Sequence, residues 1–384
     1  YMDWGAAVIQ LVCVVICYLG LDLGKSVINV FTVAKCCLVI FMIICGFCAA
    51  RVNIFASPEV YFDHGLSGTF EGVSLLFFGF IGFDEVCCLA AKSENSAVTM
   101  PRAIAGTLIG AALMSMLAQL ALAVMVIDND SVTSFEDQFK DVGWPVVQWI
   151  VAVGEEILLP LVVLVCFIPQ PELLAAMADD GIIPQVFAGR NSKGVFVMGC
   201  VISGTAMTLV SLCVPFAILW NMISLGVLIG FNLTNSSLIM LRLGNGGADF
   251  NPMATRLLGL FWITGAVSMY TLWIGVLSVS SPSTSCVVVT ILFSVADVCL
   301  ISALYRLNRR HEAQTPAQNN DDDDDGKIFR APWVPVLPCL AMLVNLVLMA
   351  SFTANDHIYF AAFTVVIFGF YFCYRAISPE VKDL

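Results

Sequence analysis

The stretch VINVFTVAKCCLVIFMIICGFCA, residues 27–49, carries one charged residue, Lys35. A bilayer core of about 30 Å takes roughly 20 apolar residues as helix. The stretch therefore reads as a transmembrane helix. It is too long and too uniformly apolar for a barrel strand, which would alternate over roughly ten residues. Similar runs recur at 4–21, 70–91, 104–127, 145–168, 194–214, 217–241, 256–279, 284–305, 332–352 and 357–375. Together they predict an all-α integral membrane protein with about eleven spans in one transmembrane domain. Composition agrees: 59% of the 384 residues are hydrophobic and 12% are charged, against about 25% charged in soluble domains. A globular core cannot hide so much apolar surface, so lipid is the solvent.

The formal net charge of −12 disfavours nucleic acid as a partner. Part of it is one acidic run, Asp321 to Asp325. The 15 Cys residues sit mostly inside apolar runs and read as small packing residues. His64, His311 and His357 lie outside the apolar runs or at their edges. No metal, no cofactor and no enzyme activity are expected. The chain opens Tyr-Met-Asp-Trp directly before an apolar run, with no basic segment and cleavage site of a signal peptide. That opening reads as an internal start, so a fragment is expected.

Lys and Arg orient the spans. Of 17 such residues, only Arg51 and Lys140 fall on one side, while Lys35 lies within a span. The crowded side is cytoplasmic, which puts the C-terminus inside and Tyr1 outside. Residues 169–193, with Pro169, Pro171 and Pro184, read as a cytoplasmic interfacial helix around 171–179, ended by Gly181, and a loop. Residues 306–331 read as a cytoplasmic acidic loop. Asn129 begins an outer glycosylation sequon; those at Asn232 and Asn235 fall within a span and should be silent.

Three polar features interrupt the spans. The first is Phe77-Phe78-Gly79-Phe80-Ile81-Gly82-Phe83-Asp84-Glu85. Its glycines weaken a helix, and its acids are costly in lipid. A broken helix there exposes backbone amides and carbonyls that bind a zwitterion. A plain glycine packing face, with Asp84 capping a helix end, fits the spacing equally well. The second is Lys35, which should face the bundle, pair with a carboxylate, titrate as a coupling group, or snorkel to the interface. The third is Glu155-Glu156, a possible counter-charge for Lys35 or for a basic substrate, or a pair tolerated in a watery vestibule. Asn221, Asn232 and Asn235 form a polar stripe suited to interhelical hydrogen bonds.

At these residues the chain resembles the cationic amino acid transporter family of the amino acid–polyamine–organocation superfamily. Ser74 through Asp84 is similar to that family's broken sixth helix, and Lys92-Ser93-Glu94-Asn95 through Met100-Pro101-Arg102-Ala103-Ile104 to the loop after it. Ala175-Ala176-Met177-Ala178-Asp179-Asp180-Gly181 resembles the motif after the eighth helix. Phe329-Arg330-Ala331-Pro332-Trp333-Val334-Pro335-Val336-Leu337-Pro338 resembles the motif before the thirteenth. This register matches helices four to fourteen of fourteen, lacking the first three. It implies an inverted-repeat bundle, a 5+5 core plus extra C-terminal helices. The resemblance places the substrate-binding residues at Phe78, Gly79, Phe80, Ile81, Gly82 and Asp84. The carbonyls of Phe78, Gly79 and Ile81 would accept from an α-ammonium. Lys35 falls where proton-coupled relatives carry a fifth-helix lysine. The chain departs from the family at Glu172, where arginine is usual, at Ala175, where tyrosine is usual, and at Glu155, Glu156 and Pro160 in the eighth helix.

The implied function is secondary active transport of cationic amino acids (arginine, lysine, ornithine) by alternating access, with protons as coupling partner. The expected location is a plasma, vacuolar or lysosomal membrane. The competing readings are a non-transporting amino-acid sensor or partner subunit, and an inactive transporter fragment.

Overall fold

The computed structural model describes residues 2–19, 25–51, 65–82, 96–125, 134–191, 194–244, 251–279, 282–314 and 331–377. Among these residues the protein is all-α; the one β feature is an isolated bridge between Arg190 and Phe196. The helices are α1 (Trp4–Tyr18), α2 (Lys25–Cys48), α3 (Gly65–Phe77), α4 (Ser96–Met125), α5 (Phe135–Val142), α6 (Pro145–Phe167) and α7 (Pro169–Asp179). They continue as α8 (Val197–Cys213), α9 (Phe216–Leu243), α10 (Pro252–Leu272), α11 (Thr284–Gln314), α12 (Val336–Ala350) and α13 (Ala354–Ile377). Each of the apolar runs holds one of them. Among the described residues seven segments are long and apolar enough to cross a membrane, by length and composition; α1, α8 and α12 are shorter apolar helices.

Local chemistry sets the ends. Asp3 caps α1 by accepting from the Ala6 N–H at 3.0 Å. Ser134 and Asp137 form a capping box on α5, which stops at Gly143 in the left-handed region (φ 83°). Pro145 opens α6, where its missing N–H costs no bond. The predicted interfacial helix is present but begins at Pro169, nearly continuous with α6. It ends as expected at Gly181 (φ 75°), where Ile182 N–H reaches Met177 O and Gly181 N–H reaches Ala178 O.

Several boundaries differ from the sequence expectation; the helix of the run expected at 104–127 already begins at Ser96. The acidic loop was expected from residue 306, but α11 continues to Gln314, because Tyr305 to Gln314 are mostly good helix formers that need no lipid. The third run was expected as helix over 70–91. Instead α3 begins at Gly65 and gives way at Phe78. Asp84, Glu85, Lys92 to Asn95, Asn129 and Asp321 to Asp325 lie outside the described residues.

The chain divides into two compact units. The first comprises 1–61, 82–216 and 364–384. In it α1 packs on α8 so closely that a Cβ on Gly204 would come within 2.4 Å of Val14 Cγ2. The α2 helix meets α4 where Gly46 faces Ala121, and meets α6 where Gly154 faces Leu38. Small residues let membrane helices approach where lipid provides no hydrophobic drive. Met42, Ala49, Met125, Phe139 and Val151 make its apolar core. The second unit comprises 62–81 and 217–363. Its core joins α9, α10, α11 and α12 through Ile239, Leu258, Phe261, Leu304 and Met342. A second cluster, including Leu225, Leu228 and Leu346, receives Phe70 and Phe77 of α3.

Candidate substrate-binding break and polar groups within the spans

The α3 helix stops at Phe77 and tightens into a single 3-10 turn, Phe78–Phe80. Ile81 is extended (φ −68°, ψ 139°), and its N–H donates to Phe78 O at 3.1 Å. Gly82 follows at φ 119°, a conformation side-chain-bearing residues rarely adopt. The helical ladder therefore ends at the glycines the sequence singled out. A helix C-terminus presents carbonyls and a partial negative charge, which favours a cation. A Cβ added at Gly79 would meet no atom within 4 Å, so its backbone is open to approach.

Aromatic rings and two serines hold the break. Phe78 stacks on Trp220 of α9, and Phe77 meets Phe231 edge-on at 6.0 Å. One turn back, Ser74 lies 2.6 Å from Ser351 and can donate to Leu348 O, tying α3 to the end of α12. Of the predicted binding residues, Phe78, Gly79, Phe80 and Ile81 belong to the second unit and Gly82 begins the next segment of the first. Asp84 lies outside the described residues.

Lys35, Glu155 and Glu156 all belong to the first unit. Lys35 is half-buried on α2, one turn from the Leu38–Gly154 contact with α6. Glu155, half-buried on α6, interacts electrostatically with Lys35. Glu156 is exposed, since adjacent helical residues point about 100° apart. The structure thus separates the pair by burial: Glu155 is half-buried and Glu156 exposed. Pro160 sits one turn on and cannot bond to the Glu156 carbonyl.

Two asparagines of the stripe, Asn221 and Asn232, pair across helices. Asn345 Nδ2 on α12 donates to Asn232 Oδ1 at 2.8 Å, with Asn232 fully buried. Asn221 donates to Asp356 at 3.1 Å, and Tyr270 lies 2.9 Å from His357 Nε2. The His357 Nδ1 faces Thr353 O at 2.9 Å; a carbonyl only accepts, so Nδ1 carries the proton.

Sequence reasoning missed Asp297. It lies midway along α11, 1% exposed, and accepts from Thr264 at 2.5 Å and Ser268 at 2.7 Å, both on α10. The signal was available, because an ionisable residue inside an apolar run always merits scrutiny. Also missed was the C-x-x-C spacing of Cys45-Gly46-Phe47-Cys48 in α2. Both thiols are free, and among the described residues no group of three or more His, Cys, Asp or Glu could hold a metal.

Known proteins match this arrangement along most of the chain. The family described as "Amino acid permease" matches residues 4–296, and "C-terminus of AA_permease" matches 329–378. The first covers the break, Lys35 and Glu155; the second covers α12 and α13. Cationic amino acid transporter 4 of Mus musculus is 30% identical over 258 residues, 66% of this chain and 40% of the mouse protein. Cationic amino acid transporter 1 of Arabidopsis thaliana is 25% identical over 406 aligned residues, 97% of this chain and 61% of the plant protein. Cationic amino acid transporter 2, vacuolar, of the same plant is 25% identical over 63% of this chain. The chain spans less than two thirds of the length of these relatives. It belongs to the amino acid permease family, and the relatives it is similar to are named cationic amino acid transporters. This is a family of multi-pass membrane permeases and not of enzymes.

Proposed function

We propose that the protein is a secondary active transporter of cationic amino acids such as arginine, lysine and ornithine, working by alternating access. The observation that carries this reading is the helix break from Phe78 to Gly82. There the C-terminal carbonyls of α3 offer a site for an α-ammonium without a charged side chain in lipid. A hydrogen bond to a charged group contributes about 1.5–3 kcal/mol, so a few such carbonyls account for a micromolar to millimolar affinity. Phe78, Gly79, Phe80, Ile81, Gly82 and Asp84 are the proposed substrate residues.

Lys35 and Glu155 are the proposed coupling pair. While Glu155 is ionised it balances Lys35; a proton arriving on Glu155 removes that balance and frees the ammonium. The eleven apolar helices are proposed to cross the bilayer with the C-terminus cytoplasmic, following the Lys and Arg distribution. A plasma, vacuolar or lysosomal membrane fits the family.

The test is uptake of radiolabelled arginine into proteoliposomes holding the full-length protein. Uptake that saturates and is competed by lysine and ornithine is expected. Arginine binding without uptake would sink the transporter reading and leave a sensor or partner subunit.

A further inference from the structure

The α11 helix outruns the bilayer core. Its apolar run, 284–305, rises about 33 Å against a core of about 30 Å, and the helix continues to Gln314. Past the run its two edges differ. On one edge Leu304 is buried, Leu307 packs on the core shared with α9, α10 and α12, and buried Asn308 donates from Nδ2 to Val334 O at 3.4 Å. On the other edge Tyr305, Arg306, Arg309 and Arg310 are exposed. Arg309 Nε donates to Tyr305 Oη at 3.2 Å, and its guanidinium carbon lies 5.8 Å from the centre of that ring. That contact steadies the guanidinium and leaves its remaining N–H groups available. Among the described residues no ion pair engages the three arginines. Trp333 lies beside this edge. It is 81% exposed, the most exposed large apolar side chain among the described residues, and its φ is 53°, a backbone that bulky residues rarely adopt. The next residue, Val334, is the one that Asn308 holds, so Trp333 lies one residue step, about 3.8 Å, from that contact.

We propose that Tyr305, Arg306, Arg309, Arg310 and Trp333 form a site for the headgroup of one anionic phospholipid, in the leaflet at the Gln314 end of α11. An exposed indole is costly in water, whereas Trp and Tyr concentrate at the membrane interface. The headgroup layer is about 5–7 Å deep on each side of the core, and Arg306 to Arg310 rise about 6 Å, so the three arginines fill that layer. Their guanidinium forks match a phosphate, whose two free oxygens accept parallel N–H bonds. The ring of Trp333 lies at the glycerol and upper acyl level beside them. The site concerns lipid alone and stands independently of the substrate and coupling readings. The tendency of positive charge to gather on one side of a membrane accounts for arginine at this end, but it makes every arginine there equivalent. It does not account for three on one edge, fixed by Asn308 and flanked by a tyrosine and a tryptophan.

The experiment measures binding of a first phosphatidylglycerol, and separately of phosphatidylcholine, to the full-length protein by native mass spectrometry. The wild type should prefer phosphatidylglycerol. Arg306→Gln combined with Arg309→Gln should weaken phosphatidylglycerol binding about twentyfold, at about fivefold per arginine, and leave phosphatidylcholine unchanged. The charge-matched control is Arg242→Gln combined with Arg256→Gln, two exposed arginines on α9 and α10 at the same end of this unit. It should cost less than about threefold, since salt screens charges that do not touch the headgroup. Equal losses in the two double variants would overturn the site and leave a diffuse positive surface. Trp333→Gly should weaken lipid binding severalfold yet melt no lower than the wild type, because glycine accepts φ 53°. Lipid binding at wild-type strength in Trp333→Gly would overturn the site as drawn, by removing its indole. Displacement of the lipid by millimolar inorganic phosphate would overturn the lipid reading in favour of a free-anion site.

Discussion

Phe78 lies face to face with Trp220, ring centroids 4.1 Å apart and planes 21° from parallel. Phe78 is the first residue of the 3-10 turn, so the stack fixes where α3 ends relative to α9. An aromatic pair of this kind contributes about 0.5–1.5 kcal/mol beyond the area it buries. Trp220→Ala should therefore raise the Kd for arginine about three- to tenfold, and Trp220→Phe should stay close to wild type. Equilibrium binding to purified protein measures both. Equal losses in the two variants would show that ring stacking is not what holds the break.

The two glycines of the break predict opposite outcomes. Gly82 has φ 119°, so Gly82→Ala forces a side chain into a strained conformation at a cost of about 1–3 kcal/mol. It should lower the melting temperature in detergent. Gly79 has no such constraint, and open space surrounds its Cβ direction. Gly79→Ala should melt like the wild type but bind arginine more weakly, because the methyl group covers carbonyls proposed to hold the substrate. Unchanged binding in Gly79→Ala would remove that carbonyl from the site.

Lys35→Ala should flatten the pH dependence of uptake. Proton-coupled import is driven by an inward proton gradient, so wild-type uptake should rise as the external pH falls. Without the ammonium, protonation of Glu155 has no partner to release. Initial rates between pH 5.5 and pH 8, roughly the range spanned by physiological compartments, provide the comparison. A Lys35→Ala protein that transports with the wild-type pH profile would exclude Lys35 from coupling.

Asp297 should prove a stability residue of the second unit. Asp297→Leu removes the acceptor for the Thr264 and Ser268 hydroxyls, which can turn back to the carbonyls of Leu260 and Gly265. The expected loss is about 1–3 kcal/mol for disrupting a buried hydrogen-bonded group. Asp297→Asn, which keeps one acceptor oxygen, should lose less. Thermal unfolding monitored by size exclusion ranks the two; a Leu variant as stable as the wild type would mean that the two hydroxyls do not depend on the carboxylate.

Membrane topology left its mark on the sequence because lipid imposes it residue by residue. A run such as 27–49 must be apolar, long enough and helical, since nothing in lipid can satisfy an exposed backbone. Local stops were legible for the same reason. Gly181 and Pro145 act through their own dihedrals, whereas Gly79 and Gly82 fitted a break and a packing face equally well until the left-handed Gly82 (φ 119°) decided between them. Which of two adjacent carboxylates would be half-buried was not legible. Glu155 and Glu156 have the same chemistry, and only the packing of α6, which meets α2 at Gly154 and Leu38, leaves Glu155 half-buried and Glu156 exposed. Asp297 itself stood out inside an apolar run, but its partners did not, because Thr264 and Ser268 lie about thirty residues away on another helix and each is ordinary by itself. The sequence by itself determined that the protein lives in lipid, a consequence of local solvation, and offered a break at Gly79 and Gly82 as one of two readings of its third apolar run. Only the tertiary structure decided which buried charges and hydroxyls meet, since packing between helices distant in sequence makes those pairs.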